Sequence, residues 1–385
     1  MEKLLEYLFQ KTYPEIYILR ALLARTFKIN SAGENPSRSN FQITFNNNKL
    51  LKIVTENKLN HIILELCNRD KVVENLFRDL LPELNKNEIA DILLFKRHQT
   101  LSVKIMSILT KNACDFVVMK TYLLKKDLYN NQTIKITADL DLLVPLKEFN
   151  KISSILIREG YKHLPVKKGT KGAGPAIFSP FYQPKTQESF QKNNHIIEVH
   201  TVVVDTFKFL AYKEFNRRIN EKLSDQLYRG TRYIRLGANR VKVFRSEDLL
   251  ISLFLHSFFQ HNMQIVISYY EVASVLSKNK LDWNYLEKIV RNYSLDAFFW
   301  WYMSILDELF PNVCNIIVKK KIRDFRHSFS LSQKFFFKYM GYKIFMPSRF
   351  RKSPNKEQEK ELYWSIIRNN LFSVLIQRIS RKLSY

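Results

Sequence analysis

In the run Lys135-Ile-Thr-Ala-Asp-Leu-Asp-Leu-Leu-Val-Pro145, two aspartates stand one residue apart and lead straight into three apolar residues. An apolar run this short, closed by Pro145, reads as a buried strand. Alternation along a strand sends Asp139 and Asp141 to the same side. Two like charges held together repel, and burying them unpaired costs free energy or drives the carboxyls toward the neutral form. Two readings stand on this context alone. Either the acids hold a divalent cation that favours hard oxygen ligands, such as Mg²⁺ (or Mn²⁺), or they line a solvated strand edge.

A second strand with chemistry is His195-Ile-Ile-Glu-Val-His-Thr-Val-Val-Val204. Its alternation puts Glu198 and His200 on one face and Ile197 and Val199 on the other. Glu198, if its strand is a neighbour, would complete an acidic trio with Asp139 and Asp141. A shorter strand-like run, Phe116-Val-Val-Met119, precedes Lys120 and Thr121. A helix over Leu146–Arg158 ends near Gly160, a C-terminal capping glycine, and Tyr161–Leu164 and Ala176–Phe181 read as further strands. The glycines in Lys167–Pro175 suggest a phosphate loop, but no Gly-Lys-Ser/Thr closes the motif, so a basic hairpin loop is the better reading.

The flanks are helical. Before residue 112, apolar spacing predicts helices over 1–30 and from Asn48, with breaks near Pro82 and Asn87 and a loop at Ser31–Ser39. Ile89, Ile92, Leu93, His98, Leu101, Ile105 and Ile108 fit one amphipathic helix, with His98 a packing histidine. After residue 236, Ser246 is expected to cap a helix carrying Leu249, Leu253 and His256. His256 and His261 are five apart and share no helical face, which argues against a zinc pair. Asp282-Trp283-Asn284 opens a further helix, and Phe298-Phe299-Trp300-Trp301 reads as core. A basic amphipathic helix over Leu362–Leu383 could dock on the body, on RNA or on a membrane surface, and docking on the body is the expectation.

At 385 residues the chain is too long for one ordinary core. The pattern divides it into four regions: a helical 1–111, a mixed α/β unit at 112–235, a helical 236–345 and a basic tail at 346–385. The fold class expected is α+β, mostly helical, with a small mixed sheet between helical regions. Lys and Arg outnumber Asp and Glu by 62 to 36, leaving +26. Such a surplus attracts polyanions such as nucleic acid, and it is equally what a merely solvated basic surface looks like. Cys67, Cys114 and Cys314 are far apart and form no Cys-x-x-Cys pair, so neither zinc knuckle nor disulfide framework is expected. The opening residues lack a signal-peptide pattern and no apolar stretch is long enough to span a bilayer, so a cytoplasmic location is expected.

Taken in order, Val-Val-Met-Lys120-Thr121, Asp139-Leu-Asp141-Leu-Leu-Val, Ile-Glu198-Val-His200 and Arg245-Ser-Glu-Asp-Leu-Leu through His256 resemble the uncharacterised nucleotidyltransferase family of the DNA polymerase β-like superfamily. The likeness runs from about residue 48 to 310. It implies Mg²⁺-dependent transfer of a nucleoside monophosphate from an NTP to an acceptor. Asp139, Asp141 and Glu198 would be the catalytic metal-binding trio, and Lys120, Thr121 and His200 would lie at the nucleotide. The acceptor is open: a small molecule, RNA or a protein. The chain departs from the family pattern at four positions. Thr121 stands where a glycine is usual, Lys135 and Thr137 where an arginine is often found, and Glu271 where an aspartate is expected. The alternative is therefore a catalytically degenerate member that binds a polyanion or partner through its basic surface.

Overall fold

A computed structural model describes residues 14–26, 46–120, 139–164, 187–204, 217–236, 238–260, 266–330 and 333–334. The described residues begin with helices α1 (Pro14–Thr26), α2 (Asn47–Glu56), α3 (Asn60–Arg69), α4 (Lys71–Phe77) and α5 (Leu81–Lys111). Strands β1 (Val117–Val118) and β2 (Asp139–Leu143) follow, then helix α6 (Leu146–Arg158). Next come β3 (Lys162–Leu164), β4 (Gln187–Lys192), β5 (His195–His200), α7 (Arg217–Arg229), β6 (Arg232–Leu236) and β7 (Asn239–Val243). Helices α8 (Ser246–Leu255), α9 (Val266–Lys278), α10 (Trp283–Asn292), α11 (Asp296–Leu309) and α12 (Ile316–His327) complete the described chain. The class is α+β and mostly helical, as the sequence pattern predicts.

The strands form one mixed sheet in the order β3-β4-β5-β2-β1-β7-β6. Its centre is set by two parallel pairings, β2 with β5 and β1 with β7, joined by the antiparallel pair β1–β2. Alternation then sorts the side chains. Val118, Leu140, Leu142, Ile197, Val199, Val241 and Val243 share one face and pack with Ile105, Met106 and Leu109 of α5 and Phe149, Ile152 and Leu156 of α6. Each such side chain taken fully out of water contributes about 1.5–3 kcal/mol. This apolar face leaves the opposite face free for Asp139, Asp141, Glu198 and His200. Helix α6 offers its apolar stripe at helical spacing and stops at Gly160, whose φ of 84° lies in the left-handed region. That conformation suits glycine and closes the helix before β3.

The sheet with its helices lies in one compact unit, Ile89–His256, and the described residues of Met1–Glu88 and Ser257–Tyr385 make a second. The division differs from the regions expected at 112 and 235, because most of α5, the β6–β7 hairpin and α8 go with the sheet. The second unit is helical. Buried Glu15 accepts from the Asn46 amide at 3.1 Å and pairs with Lys49 at 2.9 Å, tying α1 to the start of α2. Arg20 forms an ion pair with Glu308, and Tyr269 stacks on Tyr302 with ring centroids 4.5 Å apart.

Several local expectations change. The cap of α8 is Arg245, and Ser246 is the first helical residue; Arg245 Nε donates to buried Asp248 Oδ2 at 2.9 Å. The break expected near Pro82 is there, since α5 starts at Leu81 with Pro82 in its first turn, where no intrahelical amide is needed, but the helix runs through Asn87 without the second break. Ile89 and Leu93 on α5 are exposed, whereas His98 is buried. Of the aromatic run in α11, Phe298, Phe299 and Trp301 are buried and Trp300 only half-buried. The cysteines are free, with Cys67 and Cys314 buried and Cys114 half-buried. The loops at Ser31–Ser39 and Lys167–Pro175, the strand expected at Ala176–Phe181, His261 and the helix at Leu362–Leu383 lie outside the described residues. Among the described residues no helix is long and apolar enough to cross a membrane.

Candidate functional site

The parallel register of β2 and β5 places Asp141 opposite Glu198 and Leu143 opposite His200. Residues opposite one another in a sheet point to the same side, so Glu198 and His200 flank Asp141 on the face away from the core. One ligand atom from each of Asp141, Glu198 and His200 lies within 4.8 Å of the others. His200 Nε2 is 3.2 Å from Asp141 Oδ1 and 3.5 Å from Glu198 Oε2. From the other side of β2, the Met119 amide donates to the Asp141 carbonyl at 3.0 Å, which brings the next residue, Lys120, to the cluster. Lys120 Nζ lies 3.9 Å from Asp141 Oδ1 and donates to His256 Nδ1 at 2.9 Å.

Burial and charge oppose each other here. Asp141, Lys120 and His200 are buried, whereas the Glu198 side chain keeps about a quarter of its surface exposed (26%). Burial would raise the Asp141 carboxyl, but the Lys120 charge and the His200 hydrogen bond outweigh it and hold that carboxyl well below the usual range. Burial would also push the His200 imidazole down. Hydrogen bonds to Asp141 and Glu198 reverse this, so its protonated form is favoured above the usual pH. Among the described residues His200 Nδ1 has no hydrogen-bond partner.

The residues expected at the site do not all meet. Asp139 is on the same strand face but opposite Ile196, one strand period before Asp141, and it is outside the three-residue group. Two residues along a strand span about 6.6 Å, which explains the offset. His200 stands in its place within the group. Thr121, Lys135 and Thr137 lie outside the described residues. His256, expected on a helical face with Leu249 and Leu253, accepts a hydrogen bond from Lys120. Nothing in the sequence pairs two residues 136 positions apart.

On the core side of β5, His195 belongs to a different network. It is fully buried, 2.9 Å from the Ser102 hydroxyl and 2.8 Å from the Tyr161 hydroxyl, with His98 edge-on at 5.4 Å. Burial, then the neighbouring His98, pull its pKa from 6.5 to about 4. This group joins α5 to the sheet and faces away from the acidic cluster.

The cluster can be tested against a small divalent cation. Ligand oxygens at about 2.1 Å from such an ion stand about 3.0 Å apart when adjacent and about 4.2 Å when opposite. A spread within 4.8 Å fits that sphere with small side-chain adjustments. Two carboxylates and an imidazole nitrogen suit Mn²⁺ as well as Mg²⁺. A family model described as uncharacterised nucleotidyltransferase matches residues 44–311, a span that includes the whole sheet and continues through α11. A search among curated proteins finds no match.

Proposed function

The chain belongs to the uncharacterised nucleotidyltransferase family, and on that premise we propose that it moves a nucleoside monophosphate group from an NTP to an acceptor hydroxyl. One observation carries the proposal: two carboxylates from paired strands converge on the polar face of the sheet, beside a buried lysine. Asp141 and Glu198 hold Mg²⁺ or Mn²⁺, with Asp139 at the strand entrance as the third acid and His200 Nε2 against both carboxylates. When bound, the cation supplies Lewis-acid stabilisation of phosphate charge and lowers the pKa of the acceptor hydroxyl.

The acceptor oxygen attacks the α-phosphorus, and the bond from that phosphorus to the α–β bridging oxygen breaks. Pyrophosphate leaves with the electron pair. Glu198, the more exposed of the two facing acids, takes the acceptor proton. The Lys120 ammonium lies against the phosphates and offsets their charge. Without a cation, the proton on His200 Nε2 keeps Asp141 and Glu198 turned toward each other; with a cation in the place of that proton, His200 would stand beside the two carboxylates as a third holder. Phosphoryl transfer needs positioning and charge stabilisation more than a covalent nucleophile, and this residue set supplies both.

Equilibrium binding of labelled ATP, GTP, CTP and UTP, with and without Mg²⁺, tests the proposal in wild type and an Asp139→Asn/Asp141→Asn variant. Metal-dependent binding that disappears in the folded variant supports it. Equal binding in both proteins sinks it.

A second reading draws on a specific observation: Lys120 and His200 already compensate Asp141 from within the chain. On that reading the fold is retained without chemistry, and the +26 charge binds a polyanion. Polyanion binding then falls steeply with salt and ignores both Mg²⁺ and the Asp141→Asn change.

A further inference from the structure

From the contact between Lys120 and His256 we infer that His256 is a positioning residue, one that holds the Lys120 ammonium for the nucleotide's phosphates. The inference rests on the nucleotidyltransferase reading and adds to it a residue from outside the sheet. Lys120 is buried beside a carboxylate, yet its hydrogen bond goes elsewhere. Asp141 Oδ1 is 3.9 Å away, beyond hydrogen-bond reach, whereas His256 Nδ1 is at 2.9 Å. An ammonium only donates, so Nδ1 accepts, and the ring proton of a neutral imidazole is on Nε2.

The choice of partner matters. A carboxylate at 2.9 Å would both orient the lysine and cancel its charge. A neutral imidazole orients it and leaves the charge to act on an anion. Asp141 and Glu198 would share a bound cation, which would weaken the pull of Asp141 on the ammonium and repel it. His256 is then the contact that keeps Nζ at the site. The backbone is also special at this point: α8 ends at Leu255, and His256 opens a turn of π-helix running to Gln260. Single π-turns recur at functional sites because the wider turn re-aims the side chains that follow α-helical spacing elsewhere.

The test compares Lys120→Met, His256→Phe, His256→Asn and the Lys120→Met/His256→Phe double variant. Asn places an amide oxygen near the position of Nδ1, and Phe fills the same space with no acceptor. Two quantities are measured: MgATP affinity, and Mn²⁺ affinity without nucleotide. A charge-assisted hydrogen bond of ordinary strength predicts about a tenfold or greater loss of MgATP affinity in His256→Phe. Lys120→Met should lose as much or more, the double variant no more than Lys120→Met alone, and His256→Asn should recover most of the loss. Mn²⁺ affinity should stay near wild type in His256→Phe, which a general loss of structure would not allow. Wild-type MgATP affinity in His256→Phe, or additive losses in the double variant, would overturn the inference while leaving the nucleotidyltransferase reading intact. A wild-type protein that binds no NTP would overturn both.

Discussion

Asp141 and Glu198 stand opposite one another in the parallel register of β2 and β5, on the sheet face turned away from the core. The fold therefore holds two carboxylates together by backbone hydrogen bonds, which is a stiff way to keep like charges close. Lys120 and His200 supply the compensating charge. Such an arrangement is costly as pure architecture, since an apolar pair at these positions would need no compensation.

Replacing Glu198 by Gln removes both the proton acceptor and one of the two charges that would hold the cation. The amide keeps the size of the side chain but no longer takes a proton or carries charge. Turnover should fall by about 10²–10⁴, the usual range for loss of a general base. Single-turnover kinetics beside nucleotide titration check this. A variant with full turnover would remove Glu198 from the reaction.

His195 gives the fold a pH dependence separate from the acidic cluster. Its folded pKa of about 4 lies below the ordinary 6.5, so between those values the unfolded chain binds more protons than the folded one. Stability is fully present above pH 6.5 and declines as pH falls toward 4, by at most about 3 kcal/mol from this residue. Urea unfolding at a series of pH values measures the slope. His195→Gln should flatten it in that window, and an unchanged slope in a folded variant would count against the assignment.

Gly160→Ala should destabilise the protein by about 1 kcal/mol, because a residue with a Cβ resists the left-handed region. The added Cβ would also come within 3.2 Å of Lys192 Nζ, on the far end of a flexible side chain that can yield. Nucleotide binding should not change. A variant as stable as wild type on chemical denaturation contradicts the prediction.

Donor chemistry at the cluster predicts a metal preference. With an imidazole beside two carboxylates, Mn²⁺ should bind more tightly than Mg²⁺, and His200→Gln should reduce that preference. Calorimetric titration with each ion reads both affinities. Equal ratios in wild type and variant would exclude His200 from the coordination sphere.

Much of this molecule is legible where apolar alternation is strong. Leu140, Leu142, Ile197 and Val199 mark two core strands, and the spacing of Phe149, Ile152 and Leu156 marks α6. Strands β4 and β6 are not legible in the same way. Gln-Glu-Ser-Phe-Gln-Lys and Arg-Tyr-Ile-Arg-Leu carry little alternation, and pairing with β5 and β7 makes them strands. At the site, alternation alone puts Glu198 beside His200. It cannot supply the register that sets Asp141, rather than Asp139, opposite Glu198. Nor can local pattern reveal His256, whose contact with Lys120 exists only after the sheet and α8 have folded together.

The most direct test of the central claim is Mg²⁺-dependent pyrophosphate release from each of the four NTPs, in wild type and in Asp141→Asn, supplied with a mixture of small-molecule, RNA and protein acceptors. Release from wild type should stop on chelation of the metal and be lost in the folded variant. Release that persists undiminished in Asp141→Asn would contradict that claim.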